Sequence, residues 1–215
     1  MDSDRSESTR SRFFVLCEQP NSEFATEFVQ ADPFNLGDAP RCRHCGRYLG
    51  LKPWLAPHRA ELVAHGQRWG DLVFDSGVDL LVSSRFMEAW KKRGMVGLVG
   101  FESVQIVRAQ GPAEKREYYH VDLVAGEVSV DEANSSIDRV RPITCDVCRA
   151  SDIRSISTLA LDENQWQGED IFVAKGLPGF RIASERFLKL VNEVSIRNAF
   201  LTPVERFTWP RPSGN

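Results

Sequence analysis

The sequence has no apolar run approaching the roughly 18–20 residues that span a bilayer, so no membrane-spanning helix is expected. It has no strong excess of either charge. There are 27 Lys and Arg against 30 Asp and Glu, a net charge of -3. A generic nucleic-acid binder rests on a basic surface that displaces phosphate counterions, and that surplus is missing. The chain also lacks a P-loop, an HExxH helix, a GxSxG elbow and a glycine-rich dinucleotide turn. None of these common signatures of catalysis is therefore present, and a non-enzyme is expected. The opening residues Met1-Asp-Ser-Asp-Arg5 form neither a signal peptide nor a lipidation site. What is there is globular: 215 residues, 42% hydrophobic and 27% charged, enough for one large domain or two small ones. The expected setting is the cytosol, where the five cysteines do not build a disulfide framework.

Four of those cysteines form two pairs of identical spacing, Cys42-Arg-His-Cys45 and Cys145-Asp-Val-Cys148. A CxxC turn sets two thiolates at one edge of a metal ion, and two such turns complete a tetrahedral sulfur site that suits structural Zn²⁺. Gly46 after the first pair permits a tight turn whose amides point at sulfur, whereas the second pair is followed by Arg149. The long gap between the pairs means that the fold must bring them together. A redox dithiol is the rival reading, but neither pair has the βαβ setting that it requires. Cys17, after Phe13-Phe-Val-Leu16, reads as a buried small apolar residue. His44 is either a substitute ligand or a solvated neighbour.

A longer pattern also recurs. Gly70-Asp-Leu-Val-Phe74 leads to Ser83-Ser-Arg85-Phe86, and Glu169-Asp-Ile-Phe-Val173 leads to Ser184-Glu-Arg186-Phe187. Each copy has a CxxC upstream and an apolar stretch downstream, Val96–Phe101 or Ala199–Val204. The implied unit is CxxC, strand, helix, strand, present twice. Ser83 or Ser84, and Ser184, suit helix N-caps. Phe86 with Trp90, and Phe187 with Val191, are spaced to share a buried helix face. Lys91-Lys-Arg93 closes the first helix and complements its negative end.

Strands are expected at Phe13–Leu16, Glu61–His65, Glu102–Val107, Tyr118–Val124 and Ile156–Leu161, from apolar runs and alternation. The fold class is α+β, mostly antiparallel strands with a few helices, containing an internal duplication joined by a four-cysteine zinc site. Residues 13–207 are expected to form a single domain of two related halves, about 13–125 and 126–207. Residues 1–12 and 208–215 are expected to be loose tails.

Two stretches carry acids and no Lys or Arg. From Glu18 to Pro40, Glu23, Glu27, Asp32 and Asp38 alternate with Phe24, Phe28 and Phe34. From Val121 to Asp138 the acids are Asp122, Glu127, Asp131, Glu132 and Asp138. Each is either a solvated acidic surface or a patch that steers a basic protein partner. For the partner reading the candidate residues are Glu23, Glu27, Phe28, Asp32 and Phe34.

With Cys42-Arg-His-Cys-Gly46, Cys145-Asp-Val-Cys148, Asp170-Ile-Phe172 and Ser184-Glu-Arg-Phe187 together, the chain resembles the myxobacterial double-CXXCG motif immunity protein family (SitI type). It departs from that family's pattern at Arg149, where the motif has glycine. The resemblance implies a cytosolic protein that binds and neutralises a cognate polymorphic toxin exchanged between sibling cells, without catalysis. It implies metal-ligand roles for Cys42, Cys45, Cys145 and Cys148. A zinc-ribbon protein that binds nucleic acid or regulates is the alternative.

Overall fold

The structure is a computed structural model and describes residues 12–75 and 79–210. It is mixed α+β, strand-rich, with two α-helices among the described residues. The first part of the chain gives β1 (Phe13–Cys17), β2 (Thr26–Gln30), β3 (His58–Ala64), β4 (Leu72–Phe74), β5 (Leu80–Ser83), α1 (Ser84–Lys92) and β6 (Leu98–Gln110). The second gives β7 (Tyr118–Leu123), β8 (Ala125–Val130), β9 (Ser136–Arg139), β10 (Ile153–Thr158), β11 (Leu161–Asp162), β12 (Ile171–Lys175), β13 (Arg181–Ser184), α2 (Glu185–Val194) and β14 (Phe200–Pro203). Among the described residues no helix is long and apolar enough to cross a membrane.

Two sheets share a core. Strands β2-β3-β6-β7-β5-β4 close into a barrel, and β11-β8-β12-β13-β1-β14 form an open six-stranded sheet. The barrel is filled by Phe28, Trp54, Leu62, Trp69, Val73, Leu81 and Tyr118. Where barrel and sheet meet, α1 and α2 pack together through Phe86, Trp90, Phe187 and Leu190, with Leu72, Leu80 and Ile171 behind them. Phe86 and Phe187 are fully buried, with ring centroids 6.2 Å apart. A separate cluster around Phe13, Val128, Ile156, Phe172 and Phe207 includes residues of the open sheet.

The helix starts repeat one set of bonds. Ser83 caps α1 by accepting from the Phe86 amide at 3.2 Å, and Ser184 caps α2 by accepting from the Phe187 amide at 3.2 Å. Each cap serine donates to a buried aspartate, Asp71 at 2.8 Å or Asp170 at 3.2 Å. The second oxygen of each aspartate takes an arginine from the following helix turn, Arg85 or Arg186. Those arginines then reach across. Arg85 donates to the Val194 and Ser195 carbonyls at the end of α2, and Arg186 to the Arg93 and Gly94 carbonyls at the end of α1. Terminal carbonyls lack intrahelical partners and carry the negative end of the dipole, so a guanidinium satisfies both needs.

Three expectations change. The stretches at 98–101 and 102–107 are one strand, with a bulge where Phe101 takes φ 46° and the pairing to β7 slips between Gly100 and Glu102. Phe28 lies on β2 and is buried, stacked on Trp54 at 5.8 Å. The alternation of a half-buried strand placed it inward, so it is no surface anchor. Trp209, expected in a loose tail, exchanges two backbone hydrogen bonds with Ile156. The rest of that expected tail beyond Pro210, and the N-terminal one up to Ser11, lie outside the described residues.

Asp71 and Asp170 are buried while Arg85 and Arg186 are 39% and 51% exposed, so the cost of removing either aspartate is that of leaving its buried donors unpaired, about 1–3 kcal/mol. Asp71→Ala and Asp170→Ala are each expected to lose that much in urea unfolding. Asp138→Ala, whose pair with Arg154 is solvent-exposed, should lose under about 1 kcal/mol. Equal, small losses at all three sites would remove the clasp from the account.

The barrel also buries two imidazoles. His58 and His120 lie 4.4 Å apart, with Trp54 edge-on to both. His58 Nε2 meets Glu102 at 3.0 Å and His120 Nε2 meets Asp79 at 3.3 Å. Burial, then the neighbouring His120, pushes His58 below its ordinary pKa, against the pull of Glu102 and Asp122. A histidine with a lowered folded pKa gives stability that is present above the unfolded value of about 6.5 and lost as pH falls through the folded value. Stability should therefore drop on acidification below about pH 6.5, and His58→Gln should flatten that drop. The same slope in both proteins would contradict it.

Candidate metal centre

The first knuckle is the tip of the excursion between β2 and β3. Its neck is fastened where the Gly37 amide meets the Pro53 carbonyl and the Leu55 amide the Asn35 carbonyl, at 2.9 and 2.8 Å. At the tip, Gly46 N–H donates to the Cys42 carbonyl and Cys42 N–H to the Arg47 carbonyl, both at 2.8 Å. The second knuckle hangs between β9 and β10. There Arg149 N–H donates to the Cys145 carbonyl, again at 2.8 Å. The turn after each second cysteine is left-handed, with φ 73° at Gly46 and 53° at Arg149. The motif glycine is thus replaced without a change of backbone. Arg149 accepts a conformation that normally disfavours a side chain.

The fold brings the two knuckles together. The sulfurs of Cys42, Cys45, Cys145 and Cys148 all lie within 4.8 Å of one another. Cys45 Sγ and Cys148 Sγ are 3.8 Å apart. That is no disulfide, which would need about 2.0 Å. It is the separation that four ligands about 2.3 Å from a tetrahedral zinc impose, about 3.8 Å. Arg47 ties the knuckles by donating to the Ala150 carbonyl. Cys17 stands apart on β1, half-buried. His44 is exposed and is not in the cluster.

The electrostatics call for a cation. Amides of Cys45 and His44 hold the Cys42 thiol down to about 6, and amides of Cys148 and Val147 lower Cys145. Burial, together with the neighbouring sulfurs, pushes Cys148 up to about 11. Thiolates this close repel, so all four ionise together only around a positive ion. The set can hold one metal ion, and its soft, four-sulfur character is consistent with zinc.

No family model matches the chain, and no curated protein resembles it significantly. The site therefore has to be read from its own geometry.

The acidic candidates do not form one surface. Glu23 meets Arg68 at 3.6 Å, and Glu27 meets His65 Nε2 at 2.9 Å. Asp32 and Phe34 are exposed, beyond the far end of β2. In the second stretch Glu127 pairs with Lys175, Glu132 with Arg139 and Asp138 with Arg154. Lys175 and Arg154 come from later strands and Arg139 directly follows the stretch, so a count within the stretch hid these pairs. The sequence reading singled out Phe34 but missed the exposed apolar residues that accompany it around the first knuckle, Leu36, Leu49, Leu51 and Leu55. Their density between two fastened strands was the available signal.

Cys145→Ser should abolish metal binding, because three thiolates leave the tetrahedron open. Metal content, one ion per chain in the parent, should fall to near zero. Loss of a structural ion costs several kcal/mol, about 10 °C in Tm for a chain this size. An unchanged metal content in the variant would exclude the quartet as the ligand set.

Proposed function

We propose that this chain is a cytosolic, zinc-stapled, internally duplicated protein that binds and neutralises a cognate toxin. The observation that carries the zinc is the convergence of two distant CxxC turns on one four-sulfur set. A site closed by four cysteines leaves no open position for substrate, so the ion's part is structural.

The duplication is supported by pairing and by backbone conformation. Phe13 lies opposite Ser184 as Tyr118 lies opposite Ser83. The pairs β2–β4 and β8–β12 are both parallel, and β4–β5 and β12–β13 both antiparallel. Three left-handed positions recur: Gly46 and Arg149, Gly94 and Ser195, Gly97 and Asn198. At the last pair a Cβ on Gly97 would strike the Ile171 carbonyl oxygen at 1.9 Å, and Asn198 Nδ2 instead donates to the matching Leu72 carbonyl at 2.9 Å. The halves are then β1–β6 and β7–β14, divided at 111–117 rather than near 125. They have exchanged first strands. β1 sits between β13 and β14, and β7 sits between β5 and β6. Such a molecule is held by an exchanged strand, an arginine clasp and a shared ion.

Toxin neutralisation rests on the resemblance carried by the two knuckles and the repeated Ser-x-Arg-Phe helix start, with a rigid scaffold and exposed apolar side chains as the physical means of binding a protein. The test is purification from the native host, with identification of the bound protein and its expression in a susceptible cell. A one-to-one partner that kills alone and is harmless with this chain is expected. Recovery of nucleic acid with no protein partner would favour the zinc-ribbon alternative.

A further inference from the structure

Between the knuckles and the open sheet runs a groove of about 990 Å³. Its floor is β8 and β12, where Ala125, Gly126, Val173 and Ala174 present small or aliphatic surface. Its rim carries Leu49 from the first knuckle and Val147 from the second, 41% and 55% exposed. Exposed aliphatic side chains on the lip of a concave site offer a partner apolar area to bury, and arginines beside them are among the residue types enriched at interfaces.

The charges along the groove have one sign to spare. Arg41, Arg43 and Lys175 line it, against Glu127 alone among carboxylates. Glu127 is taken by Lys175. Arg41 is held flat on the Tyr48 ring at 3.8 Å and donates to the Gly46 carbonyl at 3.3 Å. Its guanidinium is fixed in place with no carboxylate partner among the described residues. Arg43 is exposed and has neither an ion pair nor a hydrogen bond among them. Cys42 and Cys148 of the negative sulfur centre also line the groove, with Arg47 beside them on the Ala150 carbonyl and Arg149 turned to Ser129 and Glu132. Four carboxylates of the acidic stretches, Glu23, Glu127, Glu132 and Asp138, meet Lys or Arg within the fold. Along the groove itself, Arg41 and Arg43 have no carboxylate partner among the described residues.

We propose that this groove takes an extended acidic segment of the protein partner, an apolar side chain seated between Leu49 and Val147 and flanking carboxylates on Arg41 and Arg43. The assignment rests on the toxin-binding function proposed above and names the chemistry of the part that is bound. Arginine forks recognise carboxylates bidentately and keep their charge in a partly desolvated site.

The test uses the full metal-loaded chain and three probes. These are a seven-residue acidic peptide with a central leucine–phenylalanine pair, its lysine-for-acid counterpart, and a single-stranded oligonucleotide. Amide shifts in nuclear magnetic resonance at Gly126, Val147 and Ala174 report occupancy. The acidic peptide should shift these amides, bind at least tenfold more weakly to Arg43→Glu, and weaken with salt. The variant should keep its metal. Equal shifts with the lysine peptide, or none with either, overturn the proposal. Stronger shifts with the oligonucleotide overturn it in favour of nucleic acid. Arg43→Glu that still protects cells as well as the parent also overturns it as the toxin site, while the immunity function stands. A parent that protects no cell defeats that function, whereas groove occupancy by the acidic peptide would still uphold the site chemistry.

Discussion

Four thiols within 4.8 Å of one another cannot all become thiolates unless a cation lies among them, and the architecture follows from that constraint. The two knuckles are carried on separate excursions, one between β2 and β3 and one between β9 and β10. Neither excursion has a core of its own. Both are fastened by backbone pairing at the neck, the second where the Val140 amide meets the Asp152 carbonyl at 2.9 Å, and Arg139 adds a bond to the Gly176 carbonyl at 2.8 Å. A metal ion would turn two weakly anchored loops into one strut, with Arg47 closing the seam by its bond to Ala150. The groove exists because that strut stands off the β8–β12 floor.

Away from the ion, the helices do a second piece of joining. Asp71 and Asp170 are buried charges, tolerable because each gathers a serine hydroxyl, an arginine and a backbone amide, from Arg197 or Val96. The arginines spend their remaining donors on the opposite helix end. Each helix end is therefore satisfied by an arginine of the other helix. With the strand exchange proposed above, the proposed repeat would behave like a two-fold dimer written into one chain.

The local signals were legible. CxxC spacing, the Ser-x-Arg-Phe helix starts and the alternating runs at 118–124 depend on residues close in sequence, and the elements they mark are present. What was hidden depends on distant partners. β2 lay inside an acidic stretch because Glu27 and Val29 occupy its outward face, so its strand period was masked by charge. The placing of β1 between β13 and β14, and of β7 between β5 and β6, leaves no mark in sequence, since a strand does not encode which sheet it joins. The His58–His120 pair, 62 positions apart, leaves no local signal for the same reason. Arg149 read as a lost glycine, although the left-handed turn persists.

The central claim is that one metal ion is held by four sulfurs drawn equally from the two knuckles. X-ray absorption at the zinc edge on freshly purified, reduced protein tests it most directly. The account requires a single shell of four sulfurs at about 2.3 Å, with no nitrogen or oxygen ligand. A first shell containing histidine nitrogen or water, or protein with no bound zinc, would contradict it.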